Sequence, residues 1–213
     1  MNVPFNDNHN VIKSVFDQCG LAFLFARYFH PAVRYVGPAR KAIGKRTVFN
    51  ILGPLSNPAN VEFQIIGTTT EELALKLANV AQQTGKKRVL VVVGGDGRDE
   101  LSTSDDNLII DVTQDRIEKS VFSPQNKFLP LADFGGDAHE NAETFRSLFL
   151  DSPKEDALID YVAVNSGLAL YCYGKVDSIL DGYHLAKENV FNGRLSNLFN
   201  SYCNLFEKYN IQK

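Results

Sequence analysis

The chain has 213 residues, of which 44% are hydrophobic and 22% charged, a composition that fits a globular protein with one medium domain and room for a small lobe. A formal net charge of −3 implies no general attraction to nucleic acid or to an anionic membrane, and no apolar run is long enough for a membrane span. Cys19, Cys172 and Cys203 lie far apart and form no CxxC pair, so free apolar cysteines are expected rather than a metal site; with a polar N-terminus that has no signal-peptide core, the expected location is the cytoplasm.

In chain order, residues 8–18 read as a helix with Val11, Val15 and Phe16 on one face, closed by Gly20. The apolar run 21–26 reads as a buried strand. A helix follows over 31–44, with Pro31 in its first turn and a kink near Gly37 imposed by Pro38. Residues 47–52 form a short apolar element, and 53–58 a loop rich in glycine and proline. Residues 62–67 read as a strand. Thr69 and Glu72 have capping-box spacing, and Leu73, Leu77, Val80 and Ala81 make the stripe of a helix that Gly85 ends. Arg88 to Val93 is a continuous apolar strand, the pattern of burial on both faces in a parallel sheet, and it completes a β-α-β unit with an expected right-handed crossover.

Two more strands are expected at 108–112 and 117–122, around a polar turn. The rest is helical. Asp137 can cap a helix reaching about Leu150. Ser152, Pro153 and Glu155 can open the next, whose stripe is Leu158, Tyr161, Val162, Leu168, Ala169 and Cys172. A third helix starts near Ser178 with Ile179, Tyr183, Ala186 and Val190 on one face, and a fourth occupies 195–208. The class expected is α/β, a mostly parallel sheet flanked by helices.

Three stretches could carry chemistry. Five cationic residues, Arg34, Arg40, Lys41, Lys45 and Arg46, follow His30 and Pro31 in an otherwise acidic chain. They are either a solvated helix face or a site for an anion, for which arginine's paired donors suit a planar carboxylate or a phosphate. His30 is either a structural histidine or a hydrogen-bonding group. The second stretch runs from Gly94 to Glu100, directly after the apolar strand, where ligands sit in open α/β sheets. The adjacent carboxylates Asp99 and Glu100 could hold a hard cation such as Mg2+, although a strand-ending turn also accounts for the stretch, and for Asp96 in particular. No Gly-Lys-Ser/Thr follows, so it is not a Walker loop. The third, 50–58, is a rigid loop containing Pro54 and Pro58. Gly135 to Asp137 read as a helix entry and cap, and Asn165, which interrupts an apolar face, as a satisfied amide.

The order of these motifs resembles the anthranilate phosphoribosyltransferases, over essentially the whole chain. The resemblance rests on residues 21–60, LAFLFARYFHPAVRYVGPARKAIGKRTVFNILGPLSNPAN, with 46–58 as its most specific part. It extends to Asp99-Glu100-Leu101-Ser102, which is similar to the family's acidic metal motif, and to Gly135-Gly136-Asp137 with Glu140-Asn141-Ala142. It implies transfer of a phosphoribosyl group from phosphoribosyl pyrophosphate to the amine of anthranilate in tryptophan biosynthesis. It also implies a nucleoside phosphorylase/phosphoribosyltransferase-like fold with a small helical lobe and a usual homodimer. On this resemblance Arg40 meets the anthranilate carboxylate, His30 and Pro54 line the anthranilate channel, and Asp99 and Glu100 hold a Mg2+ ion. No residue is assigned as acid or base. The division implied is an α/β domain over 1–30 and 59–213, with 31–58 an excursion into the helical lobe.

The sequence departs from the family in lacking its Gly-Thr-Gly-Gly-Asp diphosphate loop and its Lys-His-Gly-Asn motif; Gly94 to Gly97 is not the former, because it sits immediately ahead of Asp99. Val33 and Lys45 are lesser departures. The chain therefore corresponds to the C-terminal part of the family. These residues alone are expected to bind phosphoribosyl pyrophosphate weakly if at all and not to turn over. Val33, Val36, Ile43, Val48, Phe49 and Leu52 are expected to need another cover, such as a second chain. The alternatives are a nucleoside phosphorylase-like enzyme, which the stretch 46–55 disfavours, and a non-catalytic truncated α/β module.

Overall fold

The computed structural model describes residues 7–30, 35, 42–44, 53–124, 127–129, 135–151 and 153–210. Most of the expected helix over 31–44 and all of the element over 47–52 lie outside the described residues. So do Arg34, Arg40, Lys41, Lys45, Arg46, the apolar Val33, Val36, Val48, Phe49 and Leu52, and Ser152. Along the chain the elements are α1 (His9–Cys19), α2 (Ala26–Phe29), β1 (Phe63–Gly67), α3 (Glu71–Gln82), β2 (Arg88–Val93), β3 (Asn107–Val112), β4 (Ile117–Phe122), α4 (Ala138–Phe145), a π-helical turn (Arg146–Asp151), α5 (Ala157–Tyr173), α6 (Ile179–Phe191) and α7 (Arg194–Asn210). They divide into two compact units, Met1–Gly53 with Gly193–Lys213, and Pro54–Asn192.

In the first unit, Asn8 caps α1 by accepting from the Asn10 N–H at 3.0 Å, and Gly20 ends it in the left-handed region at φ 74°, a conformation glycine adopts without strain. Ile12 and Val15 of α1 are buried against Tyr202 and Phe206 of α7. Phe16, expected on that face, is 51% exposed. Residues 21–25 are extended but join no strand ladder among the described residues, and α2 begins at Ala26. Ala22 and Leu24 pack on the small core while Leu21 and Phe23 are exposed, so the run is not the buried strand expected but an alternating segment without a ladder.

The second unit is built on a four-stranded sheet in the order β1-β2-β3-β4. β1 and β2 are parallel and joined through α3; β2, β3 and β4 are antiparallel neighbours. The sheet is therefore mixed, where a mostly parallel one was expected. The turn at 113–116 is far too short for the crossover that a parallel β3–β4 pair requires. β2 is apolar throughout because both of its faces are covered. Leu90 and Val92 join the core under α5 and α6, with Val164, Leu168 and Ile179, while Val89 and Val91 are equally buried on the side from which α3 packs. Thr70, one residue later than expected, caps α3 by accepting from Leu73 N–H; Ala74, Leu77, Ala78 and Ala81 are its buried face, and Val80 is exposed. Arg88 ties three elements together, with paired bonds to Asp111 of β3 at 2.6–3.2 Å and one to the Tyr171 carbonyl of α5 at 2.9 Å.

Asp137 caps α4 as expected and forms a capping box with Glu140, and Ser178 caps α6. Helix α5 is instead capped by Asp156. It approaches α6 at Gly167 and Gly182, where a Cβ on either would overlap backbone atoms of the other helix. A charged network lies within the same pair. Asp160, 3% exposed, accepts from the Leu129 N–H at 2.9 Å, the Tyr183 hydroxyl at 2.7 Å and Lys187 at 2.7 Å, and Lys187 also meets Glu155 at 2.5 Å. Burial alone would raise the Asp160 pKa, but these donors outweigh it and hold it below the ordinary carboxylate value. Among the described residues no helix is long and apolar enough to cross a membrane.

Removing the lysine would leave the Asp160 charge buried and short of a partner. Lys187→Met is expected to cost about 3 kcal/mol at neutral pH. Because the folded pKa of Asp160 is depressed, its contribution is present above the unfolded value of about 3.9 and is lost as pH falls through the folded value. Urea unfolding of both chains from neutral pH down to about pH 3 should show the gap between them narrowing in that acid window. A gap of constant size would contradict the assignment.

Candidate functional site

The loop after β2 is shaped by short-range bonds first. The Gly94 N–H donates to the Arg98 carbonyl and Gly97 N–H to the Gly94 carbonyl, both at 2.9 Å, and Asp96 accepts from the Arg98 N–H at 3.1 Å. Asp96 thus serves its own turn, and Gly97 takes the positive φ of 82° that the turn requires. The chain then doubles back across the ends of β1 and β2. A Cβ on Gly67, the last residue of β1, would overlap the Asp99 carbonyl oxygen; one on Gly94 would overlap the Glu100 carbonyl oxygen; and one on Gly95 would overlap the Asp106 carbonyl oxygen. Bare backbone at these three positions lets the acidic loop lie directly on the strand ends.

Two amide side chains hold it there. Asn107, fully buried at the start of β3, accepts from the Ser102 N–H at 2.6 Å and the Gly95 N–H at 3.3 Å. Its amide group donates to the carbonyls of Ser102, Asp105 and Phe122 at 2.8–3.2 Å. Asn165 of α5 accepts from the Leu101 N–H at 2.8 Å and donates to the Leu101 carbonyl at 3.1 Å, with Leu101 itself fully buried. It is the satisfied amide its sequence position suggested. The Ser102 hydroxyl accepts from the N–H groups of Ser104 and Asp105 at 3.2 Å, closing the far side of the loop.

Asp99 and Glu100, exposed on this frame, lie at the carboxyl end of β2. Burial, and then the neighbouring Glu100 carboxylate, push the pKa of the buried Tyr161 phenol well up, against a smaller opposing effect of Arg98. Arg98 lies 6.0 Å from the Tyr161 ring and 3.5 Å from the Asp96 carboxylate. Among the described residues no group of three or more His, Cys, Asp or Glu side chains could hold a metal ion. The donor set at the loop is thus an adjacent, exposed carboxylate pair. That fits Mg2+, which commonly takes one or two carboxylates and completes its shell with water and phosphate oxygens. It would not fit a cation that needs an all-protein cage.

The other expected site residues are placed separately. Pro54, half-buried, accepts through its carbonyl from the Gln64 side chain of β1. His30 ends α2, its N–H donating to the Ala26 carbonyl at 2.9 Å, and belongs to the other unit. Arg40 lies outside the described residues. The sequence reading missed Asn107, Tyr161 and Gly67. Gly67 carried a usable signal, since a glycine closing an apolar strand marks a close backbone approach.

Residues 1–195 match the family described as "Glycosyl transferase family, a/b domain". The chain belongs to that family. It is 36% identical over 187 residues to the anthranilate phosphoribosyltransferase of Streptococcus mutans, an alignment covering 86% of this chain and 55% of the relative. The crystal structure of anthranilate phosphoribosyltransferase from Thermus thermophilus superposes with a TM-score of 0.82 at 34% identity, over 92% of this chain and 59% of that one. The Saccharomyces cerevisiae enzyme, solved in complex with PRPP and Mg, shares the fold with a TM-score of 0.81 at 23% identity, over 94% of this chain and 58% of that one. The resemblance drawn from the motifs and the α/β class are both borne out. The chain spans little more than half the length of these relatives.

The glycine floor gives a direct test of the loop's seating. Gly67→Ala forces the Asp99 backbone off the end of β1 and is expected to cost about 1–3 kcal/mol, the range for overpacking. Measured by urea unfolding, an unchanged midpoint would show that the loop does not rest on β1.

Proposed function

We propose that this chain is the acceptor-side and metal-pair part of an anthranilate phosphoribosyltransferase. It would act in the cytoplasm, in tryptophan biosynthesis, on phosphoribosyl pyrophosphate and anthranilate. The observation that carries the proposal is the seating of Asp99 and Glu100 at the carboxyl end of β2, on a glycine floor that the same sequence supplies. The family membership and the yeast relative solved with PRPP and Mg support it.

In this reading Asp99 and Glu100 hold Mg2+, which when bound offsets the negative charge gathering on the departing pyrophosphate. Arg40 meets the anthranilate carboxylate with paired donors, and His30 and Pro54 line the approach of the amine. No residue is assigned as acid or base; the chain's main task is to align the amine with the ribosyl carbon. We further propose that residues 31–58 belong to a small helical lobe distinct from an α/β domain formed by 1–30 and 59–213, and that the assembled enzyme is a homodimer.

The 213 residues contain neither the family's Gly-Thr-Gly-Gly-Asp loop nor its Lys-His-Gly-Asn motif. With Mg2+ and both substrates, phosphoribosylanthranilate formation by these residues alone is expected to be undetectable, and robust turnover would overturn that expectation. Arg40→Ala is expected to weaken anthranilate binding by about 2 kcal/mol, roughly 30-fold, as loss of a charge-assisted bond does. Titration with thymidine, which a nucleoside phosphorylase-like site would bind, should show no uptake. Thymidine binding in place of anthranilate would reverse the assignment.

A further inference from the structure

We infer that Asn165, on α5, is the positioning residue for the acidic pair. The inference rests on the reading of Asp99 and Glu100 as Mg2+ ligands and adds to it the group that fixes their backbone. Leu101 follows Glu100 directly, and both of its backbone polar groups are taken by one side chain: the Asn165 carbonyl oxygen accepts from its N–H at 2.8 Å and the Asn165 amide donates to its carbonyl at 3.1 Å. The same amide donates to the Tyr161 carbonyl at 3.0 Å, which holds the side chain against its own helix. An asparagine used in this way does what a neighbouring strand would do, pairing a peptide unit in both directions, but it does so from a helix.

Tyr161 lies one helical turn before Asn165, on the same face, and its buried phenol feels the Glu100 carboxylate, which raises its pKa after burial does. One face of α5 thus holds the peptide that follows the acidic pair through Asn165, beside the phenol of Tyr161. Leu101, fully buried, anchors that peptide in the core shared by β2, α5 and α6. Mg2+ tolerates little departure from octahedral geometry, so a carboxylate pair on a loose loop would hold it poorly. Without Asn165 the N–H and carbonyl of the fully buried Leu101 lose these partners, and the segment is free to shift toward water.

The test uses the 213-residue chain and Mn2+, a hard cation read directly by electron paramagnetic resonance. Four variants are titrated beside the unaltered chain: Asn165→Ala; Asn165→Leu, which retains most of the side-chain volume; the double variant Asp99→Asn with Glu100→Gln; and Tyr183→Phe, which removes a bond to Asp160 elsewhere in the α5–α6 pair. Thermal melting is recorded for each, and Asn165→Leu decides the matter if Asn165→Ala loses its cooperative transition. The expected result is that the Asn165 variants weaken Mn2+ binding by roughly 10- to 100-fold, as loss of a ligand-orienting partner does, while Tyr183→Phe lowers the melting temperature without changing Mn2+ affinity. Unchanged Mn2+ affinity in the Asn165 variants, with binding abolished in the acidic double variant, overturns the positioning role and leaves the metal pair standing. Equal weakening by Tyr183→Phe reduces Asn165 to a structural residue and also overturns it. If the unaltered chain takes up no Mn2+ at millimolar concentration, or the acidic double variant binds as well as the unaltered chain, the metal-pair reading fails and this inference with it.

Discussion

The loop between β2 and β3 is held by two asparagine side chains rather than by a ladder, and the site depends on that arrangement. Asn107 gathers Gly95, Ser102, Asp105 and Phe122, and Asn165 takes both polar groups of Leu101. A buried amide left half-satisfied is costly, so the loop has few conformations in which both asparagines are content. The glycines restrict it further: with Gly67, Gly94 and Gly95 beneath it, the loop can touch the strand ends, and any side chain there would lift it away. The exposed carboxylates of Asp99 and Glu100 are thereby carried on a backbone tied at Gly95, Leu101 and Ser102.

The remainder of the Pro54–Asn192 unit makes that frame rigid. β2 is enclosed on both faces, α5 and α6 meet at glycine-to-glycine contact, and Arg88 joins β2, β3 and α5 through bonds that a lysine could not reproduce. The Asp160 network ties the same α5–α6 pair about two turns away from the glycine contact, by way of Leu129 and Lys187. Helix α5 serves the sheet with its apolar residues and the loop with Tyr161 and Asn165. Its exposed residues, Val162, Ala169 and Tyr173, fall on one face, and the rest of its circumference is buried or half-buried.

What the sequence revealed was local in origin. The cap at Asp137, the start of a helix near Ser178, the Gly20 that closes α1 and the six-residue strand β2 each follow from a few neighbouring side chains, and each was legible. The acidic pair was legible as a candidate because it follows a strand with continuous apolar character. Less could be read where the deciding partner is distant. Asn107 and Asn165 owe their importance to peptide groups brought in by folding, and Gly67 owes its to a carbonyl 32 residues onward in the chain. The apolar run at 21–25 was expected to be a buried strand but has no ladder among the described residues and exposes Leu21 and Phe23, because pairing is a property of the neighbour as much as of the run. Phe16 and Val80 have the right spacing for a buried face and yet are exposed, since the stripes that found partners are rotated toward Ile12 and Ala78.

The central claim is that the acidic loop is immobilised by its two asparagines. Native-state amide hydrogen exchange tests it most directly, because the N–H groups of Leu101 and Ser102 each have an asparagine side chain as their acceptor. The account predicts that both exchange at rates comparable to the amides of β2. Exchange as fast as that of the exposed turn at 114–116 would contradict it, and would leave Asp99 and Glu100 on a loop that the fold does not hold.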